Sequence, residues 1–396
     1  MMQISPETQL FIREHSSDDV RVLALQAKKY PDIDMPTAIT QIAGRKVAAE
    51  KIPSWWEIEK IWYPKHLSLE QCSSEITARY KARLLQGDSL TDLTGGFGID
   101  CSFLATGFKS ATYVERQEEL CEIAAHNFPV LNLNHINIKN EDGVTYLQVM
   151  SPVDCLFLDP ARRNEHGGKT VAISDCEPNV AELEELLLQK ANRVMIKLSP
   201  MLDLSLALKE LKQTQEVHIL SVNNECKELL ILLGQTSPAE ISIHCVNLFT
   251  KGTQKEQHFV FTREQEQCSE CTYTDSLETY LYEPNASLLK AGAFRSIAAA
   301  YPVRKLHPNS HLYTSDTFIE NFPGRIFRIV NQCSFNKKEV KENLADLKKA
   351  NVTVRNFPAT VTELRKRLHL TEGGDTYLFA STLNNGQKVL IRCEKV

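Results

Sequence analysis

The sequence contains no run of about 18 apolar residues, which excludes a membrane-spanning helix of ordinary length. Its opening stretch, MMQISPETQLFIREHSSDD, is too polar for a secretory leader. Cysteine is present without pattern. The count of eleven is odd and irregularly scattered, which suits reduced thiols in a cytoplasmic protein better than a disulfide framework. Cys268-x-x-Cys271 has no second cysteine pair and no histidine pair at zinc-ligand spacing, so no metal site is expected there or elsewhere. Internal repeats and low-complexity tracts are absent, and 16 glycines and 16 prolines are too few for a collagenous or disordered chain. What is present, 42% hydrophobic and 24% charged residues in 396, describes a globular protein of two or three domains.

The formal net charge of -5 is unevenly spread. From Ser276 to Val396 there are 18 Lys+Arg against 11 Asp+Glu, a balance of +7. Residues 1–275 carry 27 against 39, a balance of -12. A basic C-terminal block is compatible with a module that meets phosphate while the remainder does something else.

Three regions follow from hydrophobic periodicity. Residues 1–86 read as a helical domain, with Asp34 or Thr37 capping a helix that Pro53 ends and a further helix running from Ser68 toward Gly87. The aromatic group Trp55, Trp56, Trp62 and Tyr63 reads as core. Residues 87–265 alternate short apolar runs with helical stretches, the pattern of a parallel α/β sheet. Candidate strands are 89–93, 111–115, 135–139, 153–158, 193–198 and 216–222. A seventh, 228–234, follows a gap too short for a crossover helix and must be antiparallel to the sixth. The expected fold is therefore a doubly wound, seven-stranded Rossmann-like sheet with an antiparallel last strand, followed by a hairpin at 240–262. Residues 276–396 read as an α+β domain with a possible sub-boundary near 325, including one basic amphipathic helix over NKKEVKENLADLKKA.

The strongest local pattern is Thr91-Asp92-Leu93-Thr94-Gly95-Gly96-Phe97-Gly98-Ile99-Asp100, where glycines follow a strand and open a helix so that backbone can approach a ligand. It is not a dinucleotide fingerprint: G-x-G-x-x-G from Gly95 fails at Phe97 and Asp100, and from Gly96 at Cys101. The lysine of a phosphate-binding loop is also missing. The motif resembles motif I of the class I S-adenosylmethionine-dependent methyltransferases, D/E-x-x-x-G-x-G, at Asp92, Gly96 and Gly98. The resemblance extends along successive strand ends. Glu115 matches the ribose-binding carboxylate, Asp142 the acidic residue beside the adenine, and Asp159-Pro160-Ala161-Arg162 motif IV in position. It implies S-adenosylmethionine as cofactor, held by Asp92, Thr94, Gly95, Gly96, Phe97, Gly98, Glu115, Arg116, Asp142, Gly143 and Asp159. Catalytic candidates are Asp159, Pro160 and Arg162.

Motif IV departs from the amino-methylating Asn/Asp-Pro-Pro-Tyr/Phe form, because Ala161 and Arg162 replace the second proline and the stacking aromatic. Asp159 can still orient an amine or ring nitrogen, and Arg162 with Arg163 can clamp a phosphate or pair with nearby carboxylates. Cys155 and Cys176 lack the context of a pyrimidine nucleophile. Lys197, Ser199 and Pro200 close the fifth strand with open roles.

Taken whole, the chain resembles a bacterial methyltransferase family with a C-terminal THUMP-like module. The matching segments are SSEITARYKARLL before motif I, Asp159 to Arg163, YEPNASLLKAG, and TELRKRLHLTEGGDTYLFAST. That resemblance implies structured RNA, tRNA or rRNA, as substrate. RNA-facing candidates are Arg162, Arg163, Lys337, Lys338, Lys341, Lys348, Arg365, Lys366 and Arg367, with Lys337, Lys341 and Lys348 sharing a helix face. Two rival readings stay open: methylation of a small molecule or protein, and a non-catalytic cofactor-binding RNA module.

Overall fold

The computed structural model describes residues 4–162, 172–236 and 238–396, with the side chains of His66, Leu67 and Arg162 also outside the described set. The chain divides into two compact units, one of residues 1–215 with 229–238 and one of residues 216–228 with 239–396.

The first unit begins with helices α1 (Pro6–Glu14), α2 (Val20–Leu25), α3 (Met35–Lys51) and α4 (Glu75–Ala82). Ser5, Asp19 and Asp34 start the first three by accepting backbone N–H bonds with their side chains. The helix expected from Ser68 is two helices. His66–Gln71 ends, the chain turns at Cys72–Ser74, and α4 starts afresh, because Ser73 points inward to a buried polar cluster. Trp55 and Tyr63 are core, and pack with Ala48, Ile52 and Leu69 against Phe97, Ile99, Phe103 and Ile123 of the α/β portion. Trp56 is 41% exposed, and Trp62 stacks on His126 at 3.7 Å.

The α/β portion runs β1 (Ser89–Asp92), α5 (Ile99–Ala105), β2 (Ser110–Glu115), α6 (Glu118–Val130), β3 (Ile136–Asn140), α7 (Gly143–Val149), β4 (Val153–Leu158), α8 (Val180–Lys190), β5 (Ala191–Leu198) and α9 (Leu204–Glu210). Then come β6 (Thr214–Val222), β7 (Glu225–Gly234), β8 (Ser242–Leu248) and β9 (Glu256–Thr262). The sheet is mixed, in the order β9-β8-β6-β7-β5-β4-β1-β2-β3. Among the described residues it has nine strands, not seven, because the hairpin β8–β9 adds to the sheet by pairing β8 parallel to β6. The strand expected to end the sheet, β7, instead lies inside it, antiparallel to β5. Leu229 to Leu233 are all fully buried, which a strand covered on both faces requires.

The second unit's own sheet contains β10 (Tyr280–Pro284), β11 (Arg304–Lys305), β12 (Tyr313–Ser315), β13 (Gly324–Ser334), β14 (Asn351–Val354), β15 (Thr376–Thr382) and β16 (Lys388–Lys395), ordered β11-β12-β10-β13-β16-β15-β14. Alternation along β15 and β16 sends Phe379 and Ile391 to one core and Leu378, Ala380 and Leu390 to another. Helices α10 (Lys337–Leu344) and α11 (Val361–Leu368) cover the latter with Leu344 and Leu364. Lys348 and Lys349 are not on the basic helix. It stops at Leu344 so that Leu347 and Ala350 can also be buried, and the Lys348 carbonyl accepts from Thr371 N at 3.0 Å. Among the described residues, no helix is long and apolar enough to cross a membrane.

Candidate active site

The carboxyl ends of β1, β2, β4 and β5 border a cavity of about 550 Å³ in the first unit. Strand β1 delivers Asp92 to its floor, after which the chain turns through Gly95–Gly98. Gly96 and Gly98 have φ of +55° and +85°, a region open to glycine at little cost. Gly95 has a different constraint: a Cβ there would lie 2.3 Å from the Tyr113 ring. Tyr113 donates its hydroxyl to Gly96 O at 2.5 Å, so ring and turn hold each other.

Glu115, at the end of β2, is buried and accepts from Gly96 N and Gln117 N, both at 2.8 Å, with one carboxylate oxygen each. An ionised carboxylate has about four lone-pair sites, so acceptor capacity remains for a ligand diol. Asp142 caps α7, receiving Val144 N at 3.1 Å and Thr145 N at 3.0 Å on Oδ1 while lining the cavity. Capping and cavity lining coincide in one residue.

Asp92 is 1% exposed. Its Oδ1 accepts from Thr94 N at 3.0 Å, and its Oδ2 is buried without a hydrogen-bond partner among the described residues. Burial, with Asp100 and Asp159 nearby, pushes this carboxyl up to about 8 against the pull of the Thr94 amide and Lys197. An orphaned buried acceptor beside a cavity is a ready partner for a cationic donor.

A polar cluster closes the inner wall. Lys197 Nζ, from β5, lies 2.6 Å from Asp159 Oδ2, 3.2 Å from Asp100 Oδ2 and 3.0 Å from Ser73 Oγ. Lys81, wholly buried on α4, reaches Asp100 Oδ1 at 2.9 Å and Ser73 Oγ at 2.8 Å. Burial alone would raise the Asp100 carboxyl, but the two ammonium groups outweigh it and hold it well below the usual carboxylate range. Asp159 keeps 39% of its side chain exposed, and its backbone N–H donates to Thr94 Oγ1 at 2.6 Å. Lys197 thus fixes one oxygen of a carboxylate that otherwise opens outward.

Every cofactor candidate from Asp92 to Asp159 lines this cavity. Phe97 does so with its ring edge-on to Trp55, at 5.2 Å between centroids. Arg116 lies near Glu177, 3.5 Å from Nη1 to Oε1. Pro160 is buried but does not line the cavity. Arg162 enters a two-residue ladder with Cys176 through its backbone; its side chain, and all of Arg163, lie outside the described residues. Burial pushes the Cys155 thiol up to about 11, which suits a bystander rather than a nucleophile. Ser73, Lys81 and Asp100 were not legible as site residues. Their one signal was membership of the segments SSEITARYKARLL and Thr91–Asp100.

The remaining candidates sit in the second unit. Lys337, Lys338, Lys341, Lys348 and Lys366 are exposed. Arg365 pairs with Glu372 at 3.1 Å, and Arg367 lies 4.1 Å over the Phe335 ring, so both have structural partners. In YEPNASLLKAG, Glu283 is buried and binds Arg325 and Arg355, and Asn285 caps the short helix Ala286–Ala291.

Comparison with known proteins places these features. Residues 280–323 match a ferredoxin-like domain family and residues 324–395 a THUMP domain-like family. The structure of an inferred methyltransferase from Porphyromonas gingivalis W83 is 34% identical, covers 100% of both chains and superposes with a TM-score of 0.88. Partial overlaps include an rRNA methylase from Streptococcus thermophilus, 15% identical over 40% of this chain and 93% of that one, TM-score 0.29. Another is an inferred methyltransferase from Streptococcus mutans in complex with SAH, 14% identical over 40% and 96%, TM-score 0.30. No curated protein matches the sequence.

Proposed function

We propose, given that this chain belongs to the bacterial family of class I methyltransferases with a C-terminal THUMP-like domain, that it transfers a methyl group from S-adenosylmethionine to a base of structured RNA. The observation that carries the cofactor reading is the orphaned Asp92 Oδ2 at the cavity floor. The family's cofactor carries an ammonium, a ribose diol and an adenine, and the cavity offers Asp92, Glu115 and Asp142 as acceptors for such groups. When bound, S-adenosylmethionine supplies a methyl group on a positively charged sulfur. The chain's own residues do the rest. Asp92 accepts from the ammonium, Glu115 from the diol, and the Gly95–Gly98 turn lets backbone come close. Asp159, steadied by Lys197, would orient the acceptor group toward the methyl donor.

The RNA reading rests on the THUMP domain-like match, the +7 balance and the exposed lysines of α10. The test is calorimetric binding of S-adenosylmethionine and its demethylated product to the full chain, followed by tritium transfer to RNA from cells lacking the protein. Binding and transfer are expected. No cofactor binding overturns the reading, and transfer only to protein or metabolite extracts overturns its RNA part. Asp159→Ala should lower transfer at least 100-fold while leaving cofactor affinity within about threefold, the mark of a group acting on the acceptor.

A further inference from the structure

Three neighbouring strands of the second unit bring imidazoles and a carboxylate together. His218 of β6 and His244 of β8 are register partners in a parallel ladder, so their side chains leave the same face, with stacked rings 4.3 Å apart. Glu216, two residues before His218 and thus on that face, places Oε2 3.2 Å from His218 Nε2. On the adjoining antiparallel strand β9, His258 Nε2 lies 3.1 Å from His244 Nδ1, and Ser242 Oγ lies 3.2 Å from His244 Nε2. Metal-ligating atoms of Glu216, His218 and His244 all fall within 4.8 Å of one another.

This grouping is hard to explain as packing alone. Stacked imidazoles add little apolar burial, and protonating more than one would set like charges in contact. His218 is 2% exposed and His258 is exposed, so the cluster is walled on one side and reachable on the other. Two imidazoles and one carboxylate form the ligand set of open zinc sites, with a fourth position for water. Donors around a tetrahedral ion with bonds near 2.0–2.1 Å stand roughly 3.4 Å apart, so an ion would draw these atoms, now within 4.8 Å of one another, closer together.

We propose that Glu216, His218 and His244 bind a divalent transition ion of the zinc class. The site is separate from the methyltransferase reading and survives its failure. Thiolate is absent from the donor set, and imidazole with carboxylate suits Zn²⁺, Ni²⁺ or Co²⁺ over Ca²⁺ or Mg²⁺.

The test uses the full chain without an affinity tag, stripped with chelator and titrated with Co²⁺ by visible absorption and with Zn²⁺ against a chromogenic chelator. One equivalent of each ion should bind, with a cobalt band typical of four or five ligands, and Zn²⁺ should raise Tm. His244→Asn, His218→Ala and Glu216→Gln should each weaken Zn²⁺ binding at least tenfold. Glu216→Gln keeps the side chain's shape, so it remains informative if a histidine variant folds poorly, with far-UV circular dichroism as the check. Binding that is absent, unchanged in folded variants, or lost only in His258→Ala would overturn the proposal.

Discussion

At the scale of single residues, Asp92 is the most consequential side chain. A carboxyl near 8 in the native protein, against an unfolded value of about 3.9, means the native state binds more protons between those pH values. The free protein should therefore lose stability from this group as pH rises from about 4 to 8. Asp92→Asn removes that dependence. Its Tm should exceed that of the parent at pH 8.5 and approach it at pH 5, by about 2–4 °C for each kcal/mol released. The same substitution should weaken cofactor binding at least tenfold, since its Oδ2 acceptor is gone. Calorimetry at pH 7 in buffers of different ionisation enthalpy should show proton release when the parent binds cofactor, and none in Asp92→Asn. A carboxylate at motif position was readable from the spacing; its lack of a partner was not, because that depends on every neighbour.

At the scale of elements, the turn after β1 and the break before α4 set the cavity's shape. A methyl group at Gly95 would meet the Tyr113 ring at 2.3 Å, so Gly95→Ala should cost about 1–3 kcal/mol in urea denaturation and weaken cofactor binding in parallel. The N-terminal helices do more than pad the α/β portion, since α4 and the preceding turn supply Lys81 and Ser73 to the wall behind Asp159. Lys81→Met leaves Asp100 with a single ammonium in a buried setting and should destabilise the first unit by roughly 3 kcal/mol, also read in urea. Helix starts were legible because capping is local: Asp34 caps as its sequence position implies. The interruption at Cys72–Ser74 was not, since Ser73 is turned inward by partners up to 124 residues away.

At the scale of the whole molecule, the +7 balance of residues 276–396 falls within the second compact unit. Exposed lysines on α10 should contribute to RNA affinity through counterion release. Combining Lys337→Ala, Lys338→Ala and Lys341→Ala in the full chain should weaken bulk tRNA binding and lower the salt slope by about 2–3, leaving cofactor binding unchanged. A salt series of filter-binding measurements checks both. Strand composition made the central sheet readable, as runs such as Leu229 to Leu233 admit little else. It did not reveal nine strands, because whether a hairpin stands alone or joins a neighbouring strand is decided by edge pairing.

By itself, the sequence determined those features whose causes lie within a few residues. These are the glycine turn after β1, the carboxylates at successive strand ends, the Asp34 cap, and the basic C-terminal block. Only the tertiary structure decided which distant residues meet: Lys81 and Lys197 around Asp100, or His218 and His244 across a ladder. The reason is physical. Local backbone preferences act over one turn or one strand, whereas these contacts are set by sheet register and core packing, which depend on the whole chain at once.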